Sequence, residues 1–217
     1  MRISRIQIYY SGTNAHMQEN TMKKNALLSV YHKDGIVEFA KELVTLDWNI
    51  IASGGTAKTL VAASVKVTDV SEISGLSPIL GHRVVTLVPH IHGGLMATEE
   101  MRPELETLGY PWIDLLCVDL YPLKEATRAD GATTESVIEK TDIGGPALIR
   151  SAAKGRRIVV VEPEQRKEII EWLQAGEPDG EAFRNSLAAM AEGMVADYCL
   201  ESARFHSGGA VDGHISR

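Results

Sequence analysis

A chain of 217 residues with 44% hydrophobic and 24% charged residues has an ordinary globular balance, which excludes collagen-like, disordered and mini-protein classes. Its 22 Lys and Arg against 29 Asp and Glu leave a formal charge of −7 with no basic block, a poor match for nucleic acid or a membrane surface. Cys117 and Cys199 are too few for a disulfide framework or a cysteine zinc cage, and no apolar run approaches the ~18 residues of a membrane span. The first 22 residues show no apolar signal core with a cleavage site, so a cytoplasmic location is expected.

Residues 1–23 are polar and aperiodic and read as an N-terminal tail, with Met22 a possible second start. One domain is expected over 24–204, followed by a short tail, 205–217. The run Ala26-Leu27-Leu28-Ser29-Val30 predicts a buried strand. After Gly35, apolar residues recur at helical spacing through Leu46. Asn49-Ile50-Ile51-Ala52 predicts a second strand, and a helix opens at Ser53-Gly54-Gly55-Thr56 and runs to about Ala63. Residues 65–70 suit a third strand, and 84–88 form a short apolar segment ended by Pro89. Residues 99–108 read as helical and 113–120, the most hydrophobic stretch, as a central strand. Thr133 is a candidate N-cap. Helices are expected over 147–154, 164–174 and 182–202, with a last strand at 157–161. Strands apolar on both faces alternating with helices predict an α/β fold, a parallel sheet with helices on both faces and a C-terminal helical segment.

In such sheets ligands bind where strands end and helices begin. Ser53-Gly54-Gly55-Thr56 lies at one such junction. Its glycines let backbone amides approach an anion and its hydroxyls can donate; a tight turn with Thr56 as N-cap is the plain alternative. Asp142-Ile143-Gly144-Gly145-Pro146 is a second junction, where Asp142 either caps the helix or serves a ligand. Arg150 and Lys154, four apart, share a helix face that is usually solvated. Asp119-Leu120-Tyr121-Pro122 ends the central strand and brings a carboxylate and a phenol to its mouth. His90 and His92 would share a face in a strand, as in some zinc sites, but no third ligand is in view.

Together these segments form an ordered series: Ser29-Val30-Tyr31-His32-Lys33-Asp34-Gly35, Ala52-Ser53-Gly54-Gly55-Thr56-Ala57, Arg83-Val84-Val85-Thr86-Leu87-Val88-Pro89, His92-Gly93-Gly94, Asp119-Leu120-Tyr121-Pro122, and Asp142-Ile143-Gly144-Gly145-Pro146 through Arg150-Ser151-Ala152-Ala153-Lys154. The series resembles the inosine monophosphate cyclohydrolase domain, the N-terminal half of the bifunctional purine biosynthesis protein, from about Lys24 to Ala203. The resemblance implies a methylglyoxal-synthase-like fold and a homodimer. It implies closure of 5-formamidoimidazole-4-carboxamide ribotide to inosine monophosphate with loss of water, using no metal or organic cofactor. By position, Ser29, Tyr31, His32 and Lys33 with Ser53, Gly54, Gly55 and Thr56 would hold the ribotide phosphate. Arg83, Val84, Val85 and Thr86 would line the nucleotide. Val118, Asp119, Ile143, Gly144 and Gly145 would face the base. Lys154 matches the family's proton-transferring lysine, with Asp142 and Tyr121 in support. A separate formyltransferase is expected to supply the substrate.

The chain departs from that family at the site. Val85 and Val88 stand where the pattern Arg-Val-Lys-Thr-Leu-His-Pro has Lys and His. Asp119 replaces an Asn, and Tyr31-His32-Lys33 replaces Ser-Asp-Lys. An isolated buried carboxylate is costly, so Asp119 is expected to face water or a ligand donor. Two alternatives therefore stand beside the ordinary cyclohydrolase: a diverged cyclase acting on a modified nucleotide in nucleoside natural-product biosynthesis, and a nucleotide-binding module without turnover.

Overall fold

The computed structural model describes residues 23–208 apart from His82; residues 1–22 and 209–217, most of the tails predicted over 1–23 and 205–217, lie outside the described residues. The first half contains β1 (Asn25–Ser29), α1 (Ile36–Thr45), β2 (Asn49–Ala52), α2 (Gly54–Ala62), β3 (Thr68–Asp69) and α3 (Val70–Ser74). Then come α4 (Pro89–Met96), a 3-10 turn (Glu99–Met101), α5 (Arg102–Thr107), β4 (Leu115–Val118), α6 (Leu123–Arg128) and α7 (Thr134–Glu139). The chain closes with α8 (Gly144–Lys154), β5 (Ile158–Val160), α9 (Gln165–Gln174) and α10 (Gly180–His206). The strands form one parallel sheet in the order β3-β2-β1-β4-β5.

Strand alternation divides the core in two. Ala26, Leu28, Ile50, Ala52, Leu115, Cys117, Ile158 and Val160 face α1, α2 and α9. Leu27, Ile51, Leu116, Val118 and Val159 face α4, α8 and α10. Both faces are covered, as expected for a parallel sheet, and the carboxyl ends of all five strands share one edge. Among the described residues no helix is long and apolar enough to cross a membrane.

Several expectations are corrected. The third strand is only two residues long, because Asp69 accepts the Ser71 amide at 2.8 Å while Glu72 accepts the Asp69 amide at 3.0 Å. That reciprocal cap starts α3 where the apolar pattern suggested more strand. The short apolar segment 84–88 makes one antiparallel bridge, Ile79 with Val84, and Pro89 after it opens α4. His90 and His92 consequently sit on a helix, where a two-residue spacing separates them around the axis. The helix expected over 99–108 is a 3-10 turn followed by α5. The Thr133 cap is present, its hydroxyl accepting the Ser136 amide at 3.1 Å. Helix α8 begins three residues earlier than predicted, and α10 extends four residues further, into the expected tail.

The amino ends of the strands are locked by Arg157. Its buried guanidinium donates to the carbonyls of Leu95 (3.0 Å), Gly94 (3.3 Å) and Ala97 (2.6 Å) and stacks 3.7 Å from the Trp112 ring centroid. Burial lowers its pKa to about 10. Gly155 passes so close to α4 that an added Cβ would meet the Leu95 oxygen at 1.8 Å. Gly155→Ala should therefore destabilise the fold by about 1–3 kcal/mol or more. Gly193→Ala, in open space on α10, should stabilise it by roughly 0.5–1 kcal/mol. Urea unfolding of both variants checks the pair, and equal stabilities would show that the α4–α8 approach is not tight.

Candidate active site

The carboxyl ends of β1, β2 and β4 open into a cavity of about 820 Å³. Ser29, Tyr31, Lys33, Ser53, Gly54, Gly55 and Thr56 line one part of it. Arg83, Val85, Thr86, Val118, Asp119, Tyr121, Asp142, Ile143, Gly144 and Gly145 line the rest. His32, Val84 and Lys154 do not.

At one end, Ser53 takes the N-cap position of α2, and Gly54 and Gly55 supply first-turn amides that precede the helix ladder. Thr56 is not the cap. Its buried hydroxyl donates to the Val30 carbonyl (3.1 Å) and accepts the Val30 amide (3.0 Å), fastening α2 to the end of β1. Ser29 and Ser53 hydroxyls lie 3.0 Å apart. The Lys33 ammonium donates to the carbonyls of Val30 and Tyr31, and its Cε would lie 3.7 Å from a Cβ on Gly55. Burial lowers the Lys33 pKa, opposed by the nearby Asp119 carboxylate. Amides, hydroxyls and one cation at a helix start are the donors that can hold an anion.

At the other end, Asp142 precedes α8. Its Oδ1 accepts the Gly145 amide at 3.0 Å, and its own amide donates to the Tyr198 hydroxyl at 2.7 Å. Burial raises the Asp142 pKa, against the opposing amides of Gly145, Gly144 and Tyr121. A carboxyl so placed can hold or release a proton nearer neutrality than an exposed one. Burial also pushes Tyr198 up to about 12, so its phenol stays protonated. Arg83 is ion-paired with Glu139 at the rim.

Asp119 differs from expectation. It borders the cavity, yet its two oxygens accept the amides of Tyr31 and His32, so its donors come from the chain's own loop. His32 enters through its backbone alone, and Val84 is engaged with Ile79. Val88 is buried in the core as the N-cap of α4 and is not a cavity residue. Lys154 is also displaced. It ends α8, about 15 Å along the helix from Gly144. There it borders a different cavity of about 650 Å³, with Lys24, Trp48, Asp114 and Arg157. Within one chain it does not meet Asp142 or Tyr121.

Sequence reasoning missed Ser202 and His206, which the last turns of α10 bring to the cavity, and Tyr198 behind Asp142. A signal was present. The buried stripe Leu187, Ala191, Val195 continues on the same face as Tyr198, Ser202 and His206, where it turns polar. His92 supports the site from behind, its Nδ1 lying 2.8 Å from the Ser151 hydroxyl of α8.

The Asp142 shift has a consequence for stability. Because the folded value lies above the ordinary one, the folded chain keeps this proton to higher pH than the unfolded chain. The group's contribution is therefore fully present below the ordinary carboxylate value, about pH 4, and is lost as pH rises through the raised value. Asp142→Asn escapes that loss. Its melting temperature relative to wild type should rise between about pH 4 and pH 7; a flat difference would contradict burial as the dominant cause.

Comparison with known proteins agrees with this architecture. The chain is 42% identical over 181 residues to the bifunctional purine biosynthesis protein PurH of Desulfitobacterium hafniense, covering 82% of this chain and 35% of that protein. It is 45% identical over 179 residues to PurH of Bradyrhizobium diazoefficiens, covering 80% of this chain and 34% of that one. The chain thus spans about a third of the length of these relatives. Among solved structures, ForH superposes with a TM-score of 0.72 at 28% identity, over 86% of this chain and 98% of that one. The MGS-like domain model matches residues 35–147, more than half of the chain, and the chain belongs to the MGS-like domain family.

Proposed function

We propose that this chain is an inosine monophosphate cyclohydrolase-like cyclase. It closes the ring of 5-formamidoimidazole-4-carboxamide ribotide and releases water. The observation that carries the reading is a single cavity that gathers anion-binding groups at the start of α2 and, before α8, a carboxyl whose pKa burial raises. Similarity to PurH supports it. The carboxamide nitrogen is a weak nucleophile and must lose a proton as it attacks the formyl carbon; the formyl oxygen must gain protons to leave as water. Asp142 is placed to exchange the proton, and Tyr121 to donate to the developing oxyanion. Both reacting groups belong to one molecule, so fixing the phosphate and the heterocycle supplies the orientation. The formylated substrate comes from a formyltransferase activity, and a cytoplasmic location belongs to the same proposal.

Lys154 takes the proton-transferring role only from a second copy, which ties it to a homodimer. Co-expression of Lys154→Ala with Asp142→Ala tests this. Each variant alone should be inactive toward the formamido ribotide, followed by purine absorbance. Randomly mixed two-fold dimers would regain about a quarter of wild-type turnover, because half of the dimers carry one intact site. Full activity of Lys154→Ala alone would instead assign the proton transfer to the cavity's own groups. No turnover by wild type, with the ribotide bound, would leave the nucleotide-binding module. The diverged cyclase is favoured by two features of the cavity itself, the apolar Val85 and the tied-back Tyr31-His32 loop.

A further inference from the structure

The cavity wall is chemically segregated. Hydroxyls, first-turn amides and Lys33 gather at the start of α2, whereas the mouth carries Tyr31, Tyr121 and Ile143, exposed by 45%, 48% and 63%. The Tyr31 and Tyr121 ring centroids lie 4.9 Å apart, tilted by 56°, and His32 meets Tyr31 edge-on at 4.9 Å. Large apolar side chains are left in water beside a polar cavity, where aromatic faces are suited to a flat ligand.

The Tyr31 backbone is held on both sides. Its amide donates to Asp119 and its carbonyl accepts from Lys33 at 3.0 Å. The ring therefore stands on a tied loop, and its hydroxyl makes no hydrogen bond among the described residues. Lys33, with Gly54 and Gly55, already accounts for the anion subsite, so a phosphate role for the Tyr31 side chain is not required.

We propose that Tyr31 is a specificity-determining residue whose ring, backed by Tyr121, stacks on the planar heterocycle of a ribonucleotide while its hydroxyl is dispensable. The proposal rests on the nucleotide reading of the cavity. It defines the ligand class as a ribose phosphate carrying a flat, unsaturated ring system rather than a bare sugar phosphate. Stacking on an aromatic side chain tolerates changes in the ring's hydrogen-bonding edge, so a modified heterocycle is accommodated as readily as the ordinary one.

Calorimetric titration with inosine monophosphate and with ribose 5-phosphate separates the contributions. Tyr31→Ala should weaken inosine monophosphate about tenfold and leave ribose 5-phosphate unchanged. Tyr31→Phe should bind both as wild type does, and Tyr31→Leu, which keeps an apolar bulk on the loop, should behave like Tyr31→Ala. Unchanged nucleotide affinity in Tyr31→Ala overturns the proposal. Equal losses for both ligands also overturn it, showing instead that the residue orders the loop. A loss in Tyr31→Phe as large as in Tyr31→Ala assigns the effect to the hydroxyl and overturns it too. If wild type binds ribose 5-phosphate but not the nucleotide, stacking fails while the anion subsite stands. If it binds neither, the nucleotide reading falls and the proposal with it.

Discussion

The closeness of the first turn of α8 to the end of β4 is the constraint on which the site depends. A Cβ on Gly145 would lie 2.4 Å from Leu120 Cδ2 and 2.5 Å from Asp142 Oδ2; one on Gly144 would lie 3.2 Å from the Thr86 hydroxyl. Two glycines in sequence let three chain segments meet there. Their meeting removes water from the Asp142 carboxyl, which raises its pKa, while the amides at the helix start offset part of the cost. Tyr198, reaching across from α10, holds the Asp142 backbone from behind. One steric condition therefore sets the position and the burial of the same group and the direction in which its pKa moves.

The far end of α8 is equally constrained, for structural reasons. Gly155 admits the α4 backbone, and Arg157 collects the carbonyls of Gly94, Leu95 and Ala97 that α4 leaves at its own end. A buried guanidinium is tolerated because donors meet acceptors and its face meets Trp112. Lys154, exposed in the last turn, is favourably placed against the helix dipole whether or not it serves chemistry. Helix α8 thus has a half-buried carboxyl just before one end and an exposed cation at the other, and no rotation within a single chain brings them together.

The sheet and most of its helices were legible because apolar runs, glycine junctions and the Thr133 cap are local signals. So were the two strand–helix junctions, since parallel topology sends every carboxyl end to one edge. What escaped was decided by tertiary context. Val70 reads as the end of a strand, but the reciprocal cap of Asp69 with Glu72 starts α3 there. Pro89, which ends the apolar segment 84–88, is equally suited to the first turn of a helix. Ser202 and His206 lie far along a helix whose return to the cavity depends on packing against α8. Lys154 owes its expected role to the family resemblance, and a motif fixes helix phase but not which end of the helix faces the ligand.

The departure at position 119 has a local structural account in the loop at 31 and 32. Two backbone amides converge on Asp119, and a carboxylate offers an oxygen to each. An asparagine offers one oxygen and would aim its amide donors at the other N–H, so the loop geometry selects the acid over the residue of the pattern it resembles. The added negative charge faces the Lys33 ammonium rather than standing alone. It is therefore consumed by loop architecture and is not free to choose a substrate through its charge. Val88 is removed from the question as well, because it packs in the core. What remains inside the cavity is an apolar Val85 in place of a cation and an aromatic ring at Tyr31. Both offer contact area where the family pattern has polar or charged side chains, and on the proposed nucleotide reading such a wall discriminates by shape and planarity more than by hydrogen-bond pattern.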